Sequence, residues 1–92
     1  MEDLQKQRPG VLTKQEIRAA RAVGADAYQK HLEDNAYDRA EASGARQAFP
    51  HNLSKQREWK LEFGIGYMIA AEIEIFQALG EPFPPDLERY TP

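Results

Sequence analysis

The segment from Leu61 to Phe76, LEFGIGYMIAAEIEIF, constrains the fold of this chain more than any other part of it. As a helix, it belongs to a longer element that Asn52 or Ser54 can cap and that Gly80 can end in the left-handed conformation. The alternation of apolar with small or polar residues over 61–67 also fits a strand. The length of the whole element favours the helix.

This predicted helix carries apolar residues on two neighbouring stripes. The first consists of Trp59, Phe63, Gly66, Ala70 and Ile73, and the second of Ile65, Ile69, Glu72, Phe76 and Leu79. Together the stripes are wider than one packing partner can cover. We therefore predict that the first stripe, with Tyr67, faces the core, whereas the second forms an interface with another copy or another protein.

An earlier amphipathic helix is predicted to begin after Thr13. The spacing of Thr13 and Glu16 is that of a capping box, in which each side chain bonds a backbone amide of the other residue. A glycine in the middle of the apolar stripe, Gly24, lowers helix propensity and so indicates close approach by another backbone. The stripe consists of Ile17, Ala20, Gly24, Ala27 or Tyr28, and Leu32.

The segment between these two helices predicts a third, shorter one. Asp34 and Asn35 are suitable cap residues, and a weaker helical stripe follows them. We expect a helix over about 36–43, with a continuation to Ala48 as the alternative. A bend follows, because the residue before Pro50 is biased out of the helical region.

Both ends of the chain are expected to lie outside the helical domain. Residues 1–11 are polar and rich in turn formers, which predicts a flexible arm. Residues 81–92 contain four prolines and predict an extended tail, either packed on its own domain or offered to another protein. The predicted fold is therefore an all-α, three-helix domain over 12–80 with a long C-terminal helix and a Pro-rich tail. The tail carries Phe83, Leu87 and Tyr90.

The composition predicts a cytoplasmic protein. The chain has 92 residues and no cysteine, which excludes disulfides and thiolate metal sites and fits a reducing compartment. No basic and apolar leader opens the sequence, and Glu72 and Glu74 interrupt its longest apolar stretch. We therefore expect neither export nor insertion into a membrane.

The charge distribution disfavours nucleic acid as the main partner. The formal net charge is −3, and a strong basic excess is the usual sign of phosphate binding. Residues 35–60 are nevertheless mildly basic, with five bases and three acids, whereas 61–92 carry six acids and one base. A surface for RNA or a nucleotide-like ligand would use this middle segment for charge and stacking. Its candidate residues are Tyr37, Arg39, Arg46, Lys55, Arg57 and Trp59.

The sequence predicts no catalytic, cofactor-binding or metal-binding residues. His31, Glu33, Asp34 and Asp38 lie close together and could in principle form a metal or acid-base site. However, no established metal or phosphate motif is present, and such a run is ordinarily a solvated helix end. We therefore expect a protein without enzymatic activity and without a cofactor.

Three short pieces resemble ribosome modulation factor and its small bacterial and phage relatives. They are GADA over 24–27, DNAY over 34–37 and FGIGYMIA over 63–70. In that family a helix with a glycine and an alanine three apart is followed by an Asn-Pro-Tyr-like turn and a second helix. Ala36 stands in place of the family's proline. The resemblance implies a compact helical hairpin, while the family's RNA binding rests on positive charge that this chain lacks.

These observations favour a small helical interaction protein that binds a macromolecular partner and also self-associates. Its size and the family resemblance suggest a bacterial or phage accessory regulator or inhibitor. The alternative is a ribosome-associated modulator that binds RNA or a nucleotide through the basic middle segment. The sequence does not identify the protein partner.

Overall fold

The computed structural model describes residues 11–92, and within this range the chain is all-α, as predicted. Of the predicted arm over 1–11, only Val11 lies within the described residues. The described part has three α-helices and one 3-10 helix, with no strand among them. The elements are α1 (Lys14–Gln29), α2 (Asp34–Ala48), α3 (Leu53–Leu79) and the 3-10 helix (Pro85–Tyr90).

The start of α1 is the predicted capping box. The amide of Glu16 donates to the Thr13 hydroxyl at 3.1 Å, and the amide of Thr13 donates to the Glu16 carboxylate at 2.8 Å. Two amides that no helical carbonyl can reach are thereby satisfied. The capping box fixes where the helix begins.

Helix α2 differs from the prediction at both ends. Its N-cap is Glu33, whose side chain makes no capping hydrogen bond, so the expected capping role of Asp34 or Asn35 is wrong. Asp34 instead lies in the first turn, where its negative charge interacts favourably with the positive end of the helix dipole. The helix also continues to Ala48, which agrees with the longer of the two predicted lengths.

Helix α3 has the predicted ends. The Asn52 side chain accepts a hydrogen bond from the Lys55 amide at 3.0 Å, and Gly80 ends the helix with a φ of 70°. A residue without a Cβ adopts this left-handed conformation without steric cost. The stretch 61–67 is therefore helical, and α3 is 27 residues long.

Helices α1 and α3 run parallel and cross at two glycines. Side-chain contacts advance in the same direction along both helices, from Glu16 with Lys55 to Arg21 with Glu62. A Cβ atom on Gly24 would overlap the carbonyl oxygen of Phe63, and one on Gly66 would overlap the carbonyl oxygen of Arg21. The backbones thus approach where only glycine fits, and the close approach predicted from Gly24 is confirmed.

Helix α2 folds back antiparallel on the first half of α3. Near its end, Gly44 faces the Trp59 ring, and near its start Tyr37 packs edge-to-face on Phe63 with ring centroids 5.1 Å apart. Tyr67 then joins this cluster, at 4.9 Å from Tyr37. Gly44 leaves room for the Trp59 ring, and the aromatic contacts bury apolar surface between α2 and α3.

The resulting core is small. Half of its eight buried apolar residues are alanines, and Phe63 is the largest side chain that is fully buried. Seven large apolar side chains in the described part remain exposed, whereas only four large ones are buried. Soluble monomers rarely leave such side chains in a continuous patch, so their arrangement decides what the surface can bind.

The tail is less extended than predicted. Residues 81–84 have no regular structure, but Pro85–Tyr90 forms a 3-10 helix with Pro85 in its first turn. Proline is tolerated there because the first amides of a helix have no intrahelical acceptor. The prediction of an extended chain over all of 81–92 is therefore wrong for residues 85–90.

Candidate functional site

One row of side chains, all apolar except for a single glutamate, lies on the side of α3 that faces away from α1. We call this row the outward stripe; it consists of Leu61, Ile65, Met68, Glu72, Ile75 and Leu79. Successive members are four, three, four, three and four residues apart, which is the spacing of a coiled-coil seam. The row is about 27 Å long at 1.5 Å per residue. It is therefore long enough to pack along another helix.

Among residues 11–92, the outward stripe is open to solvent. Leu61, Met68, Ile75 and Leu79 are 58%, 65%, 50% and 63% exposed. The other two members, Ile65 and Glu72, are half-buried. The stripe is thus a line of large apolar side chains with a single carboxylate near its middle.

The predicted interface overlaps this stripe only in part. Ile65, Glu72 and Leu79 belong to both. Ile69, however, is only 7% exposed, and Phe76 is half-buried against Phe83 of the tail. The placement of these two residues on a free surface is therefore wrong, because the chain's own tail covers that side of α3.

Three members of the stripe were missing from the predicted interface. Leu61, Met68 and Ile75 are separated by seven residues each, but the residues of the predicted row recur just as regularly, so spacing alone does not choose between the two rows. The predicted interface instead follows a neighbouring row of α3 that includes Ile69 and Phe76. Only the position of the tail distinguishes the covered row from the exposed one.

The tail is held on the helices by a network around Arg21. Its Nε lies 2.8 Å from the Glu62 carboxylate, and its Nη1 donates to the carbonyl oxygen of Arg89 at 2.8 Å. The guanidinium carbon also lies 5.5 Å from the centroid of the Tyr90 ring. One arginine thus connects α1, α3 and the tail, through charged hydrogen bonds that are stronger than neutral ones.

A shallow apolar cavity of about 320 Å³ lies between the tail and the outward stripe. Ile65 and Met68 of the stripe line one side, and Leu87 and Tyr90 of the tail line the other. Ile69 forms part of its floor. The docked tail therefore widens the apolar surface next to the stripe.

A second cavity, of about 510 Å³, lies between the start of α1 and the end of the tail. Lys14, Arg18 and Arg89 line it and make no ion pair among the described residues, whereas Arg21 is paired with Glu62. The only carboxylate side chain in this lining is that of Glu88. Basic charge is thus concentrated here and not only in the middle segment.

The candidate RNA surface is not assembled as predicted. Trp59 is 5% exposed and stacks on Phe63 at 5.4 Å, so its proposed role as a stacking surface for a base is wrong. Tyr37 is half-buried between Phe63 and Tyr67, and Lys55 pairs with Glu16 at 3.4 Å. The three remaining members are exposed; they are Arg39, Arg46 and Arg57.

Three groups near these helices have shifted pKa values. The amide of Thr13 donates to Glu16 and lowers the pKa of that carboxyl group, with Lys55 acting in the same direction. The neighbouring Glu74 carboxylate raises the pKa of the Tyr28 phenol, and burial raises the pKa of the Tyr37 phenol. None of these groups lies in the outward stripe.

The acidic run after α1 lies at the surface. All four candidate residues are exposed, namely His31, Glu33, Asp34 and Asp38. His31 has a φ of 51°. Among residues 11–92, no three histidine, cysteine or acidic side chains come close enough together to hold a metal ion. Nor does any helix of the described part combine the length and apolar character needed to cross a membrane.

Comparison of the chain with protein-family models, with curated proteins and with solved structures gave no match. The resemblance to ribosome modulation factor therefore stays a prediction from three short motifs.

Proposed function

We propose that this protein is a small, non-enzymatic interaction protein of the cytoplasm that binds other protein chains through the outward stripe of α3. One observation carries the proposal, namely that Leu61, Met68, Ile75 and Leu79 form a single exposed row at heptad spacing. Large exposed apolar patches on soluble proteins commonly mark protein interfaces. A role as an accessory regulator or inhibitor fits a chain of this size whose activity consists of binding.

The electrostatics of the stripe also support a protein as the ligand. Glu72 is its only ionisable member, so the row offers no positive charge to a phosphate backbone. Acidic residues outnumber basic ones throughout 61–92. An apolar face of this kind buries the surface of another helix more favourably than it binds RNA.

The test compares two substitutions that add the same charge to the same helix. Met68→Asp places a carboxylate in the middle of the stripe, where a bound partner would desolvate it without a counterion. Gln77→Asp is the matched control, because Gln77 is exposed and lies about 160° around the helix from Leu61. Each protein is used as bait in its native host, and captured chains, including untagged copies of itself, are quantified by mass spectrometry.

We expect Met68→Asp to lose at least about tenfold of the specific capture, as for a charge placed in an interface centre, and Gln77→Asp to retain it. Increasing the salt concentration should weaken capture only slightly, because screening acts on charges and not on apolar contact. Equal capture by all three proteins would contradict the proposal.

The alternative function, binding of RNA or a nucleotide, is favoured by one observation outside the predicted surface. Lys14, Arg18 and Arg89 surround the cavity between α1 and the tail. Phosphate-led binding there should weaken steeply with salt and should disappear when Arg18 and Arg89 are both changed to glutamate. It should be unaffected by Met68→Asp, which separates the two functions.

A further inference from the structure

We propose that the outward stripe binds a second copy of this chain, with the two α3 helices antiparallel and in a single register. This inference rests on the proposed function and names the partner. The first argument is the symmetry of the stripe. Its six members are arranged evenly about position 70, so that reversing the helix reproduces the spacing and the Leu and Ile positions and exchanges only Met68 with Glu72.

Antiparallel pairing about this centre gives three kinds of layer. Leu61 lies opposite Leu79 of the second copy, and Ile65 lies opposite Ile75. Met68 lies opposite Glu72, and each of these layers occurs twice because the pair is symmetric. The two outer kinds of layer are purely apolar, and the inner one places Met68 against Glu72, over the full length of about 27 Å.

The charge on Glu72 selects the antiparallel orientation over the parallel one. In a parallel pair, the two Glu72 carboxylates would face each other in one layer, where like charges desolvated together are unfavourable. In the antiparallel pair they are offset by four residues, or about 6 Å along the axis, and each faces a flexible methionine. A single polar residue in a seam commonly sets register and orientation in this way.

The surroundings of the stripe leave space for one helix. On one side, the tail stands beside Ile65 and Met68 and contributes Leu87 and Tyr90 to the cavity there. On the other side, Gly64 lies beside the Tyr37 hydroxyl of α2, whereas Ala71 and Ala78, further along α3, present little bulk. Ile75 of the second copy, opposite Ile65, would enter the cavity beside the tail.

The expected dimer is weak. One helix face and the edge of a tail give an interface near the lower end of the range for specific complexes, about 1,200 Å² in total. We therefore expect dissociation in the micromolar range. Sedimentation velocity across that range measures whether the chain dimerises at all.

Orientation is tested by disulfide trapping, for which the absence of native cysteine is an advantage. Leu61→Cys and Leu79→Cys are prepared separately, one of them isotopically labelled, and are mixed and oxidised mildly. A disulfide requires Cα atoms within about 7 Å. Antiparallel pairing brings the two different positions together and keeps identical positions about 27 Å apart.

We expect the mixed disulfide to exceed either homodimer by about tenfold or more, since only it satisfies the geometry of a disulfide. Gln77→Cys, mixed with either variant, provides the background of random collision. Dominant homodimers of Leu61→Cys would instead show a parallel pair and overturn the orientation, while leaving binding through the stripe intact. A dimer that gives no disulfide above background would place the interface elsewhere and overturn the inference.

A chain that sediments as a monomer at all concentrations would also overturn the inference. The proposed function would then be judged separately, by whether Met68→Asp still releases a foreign protein in the capture experiment. Loss of that protein would support an interaction role with a different occupant. The failure of self-pairing and the failure of the proposed function therefore give different results.

Discussion

Opposite sides of α3 both carry apolar residues, but they meet different surroundings. On the inner side, Phe63 and Gly66 lie against the backbone and side chains of α1, and Trp59 stacks within the same core. On the outer side, Leu61 and Met68 point away from α1 and remain more than half exposed. Apolar side chains of the same helix are therefore buried on one side and exposed on the other.

The difference lies in where small residues stand. On the inner side, Gly24 and Gly66 allow the α1 and α3 backbones to come together, so a few side chains suffice to fill the core. The outer side has large side chains at each heptad position and no element of the described chain across them. The glycines at the crossing thus lie on the face that the chain packs internally, and the row of large side chains lies on the face left for another molecule.

The largest expected contrast between the two sides comes from removing one large side chain from each. Phe63→Ala should lower the free energy of unfolding by about 3–5 kcal/mol, because it empties a fully buried site. Leu61→Ala should cost less than about 1 kcal/mol in the dilute chain, because most of that side chain is already solvated. Chemical denaturation at low protein concentration measures both, and equal losses would remove the distinction between the faces.

The glycines give a second contrast, with opposite signs. Gly24→Ala and Gly66→Ala should each destabilise the fold by about 1–3 kcal/mol, because the added methyl group overlaps a carbonyl oxygen. Gly64→Ala should stabilise it by about 0.5–1 kcal/mol through helix propensity, since the nearest atom to its Cβ would be the Tyr37 hydroxyl oxygen at 3.4 Å. Thermal unfolding of the three variants measures these effects. If Gly64→Ala destabilised the fold and the other two substitutions did not, the result would contradict the close crossing at Gly24 and Gly66.

Much of the inner side could be predicted from the sequence because its determinants are local. Thr13 with Glu16 fixes one helix start, Asn52 fixes another, and Gly80 ends α3. A glycine within an apolar stripe also signals close packing before the partner is known. Each of these features depends on a few neighbouring residues and on backbone geometry.

The outer side was predicted less well because it depends on the tail. Periodicity shows that α3 has two apolar sides, but it does not show which of two adjacent rows the tail covers. Ile69 is buried next to the cavity that Leu87 and Tyr90 of the tail line. Arg21 holds this tail by donating to the carbonyl oxygen of Arg89. Contacts between residues so far apart in sequence leave no local signal.

A smaller effect is expected at the edge of the inner face when the pH is lowered. Glu16 accepts from the Thr13 amide and pairs with Lys55, and its pKa is lowered in the folded chain. This contribution is present above the unfolded pKa, near 4.5, and is lost as the pH falls through the lower folded pKa.

The wild-type chain should therefore lose more stability between about pH 5 and pH 3 than Glu16→Gln does. The amide that replaces the carboxyl group in this variant does not titrate, so the substitution removes one group from the profile. Urea denaturation at each pH measures the difference, and identical pH profiles would show that the charge of Glu16 contributes nothing to folding.

The smallest effect on the isolated chain is expected for Met68→Asp, and it tests the outer face most directly. Met68 is 65% exposed, so a carboxylate there stays hydrated in the monomer and should change the unfolding free energy by less than about 0.5 kcal/mol. If the folded chain binds a second copy of itself, this association stabilises it, and the stabilisation increases with protein concentration. The wild-type thermal midpoint should therefore rise between about 1 and 500 µM protein, whereas that of Met68→Asp should stay constant.

Gln77→Asp is the control for this series, because it adds the same charge on the other side of the helix and should retain the wild-type dependence on concentration. If Met68→Asp instead destabilised the dilute chain by about 2 kcal/mol or more, which is what a core substitution costs, Met68 would belong to the fold and not to an interface. If the wild-type midpoint did not depend on concentration, the outward stripe would not bind a second copy, and its exposed row would require a different protein to cover it.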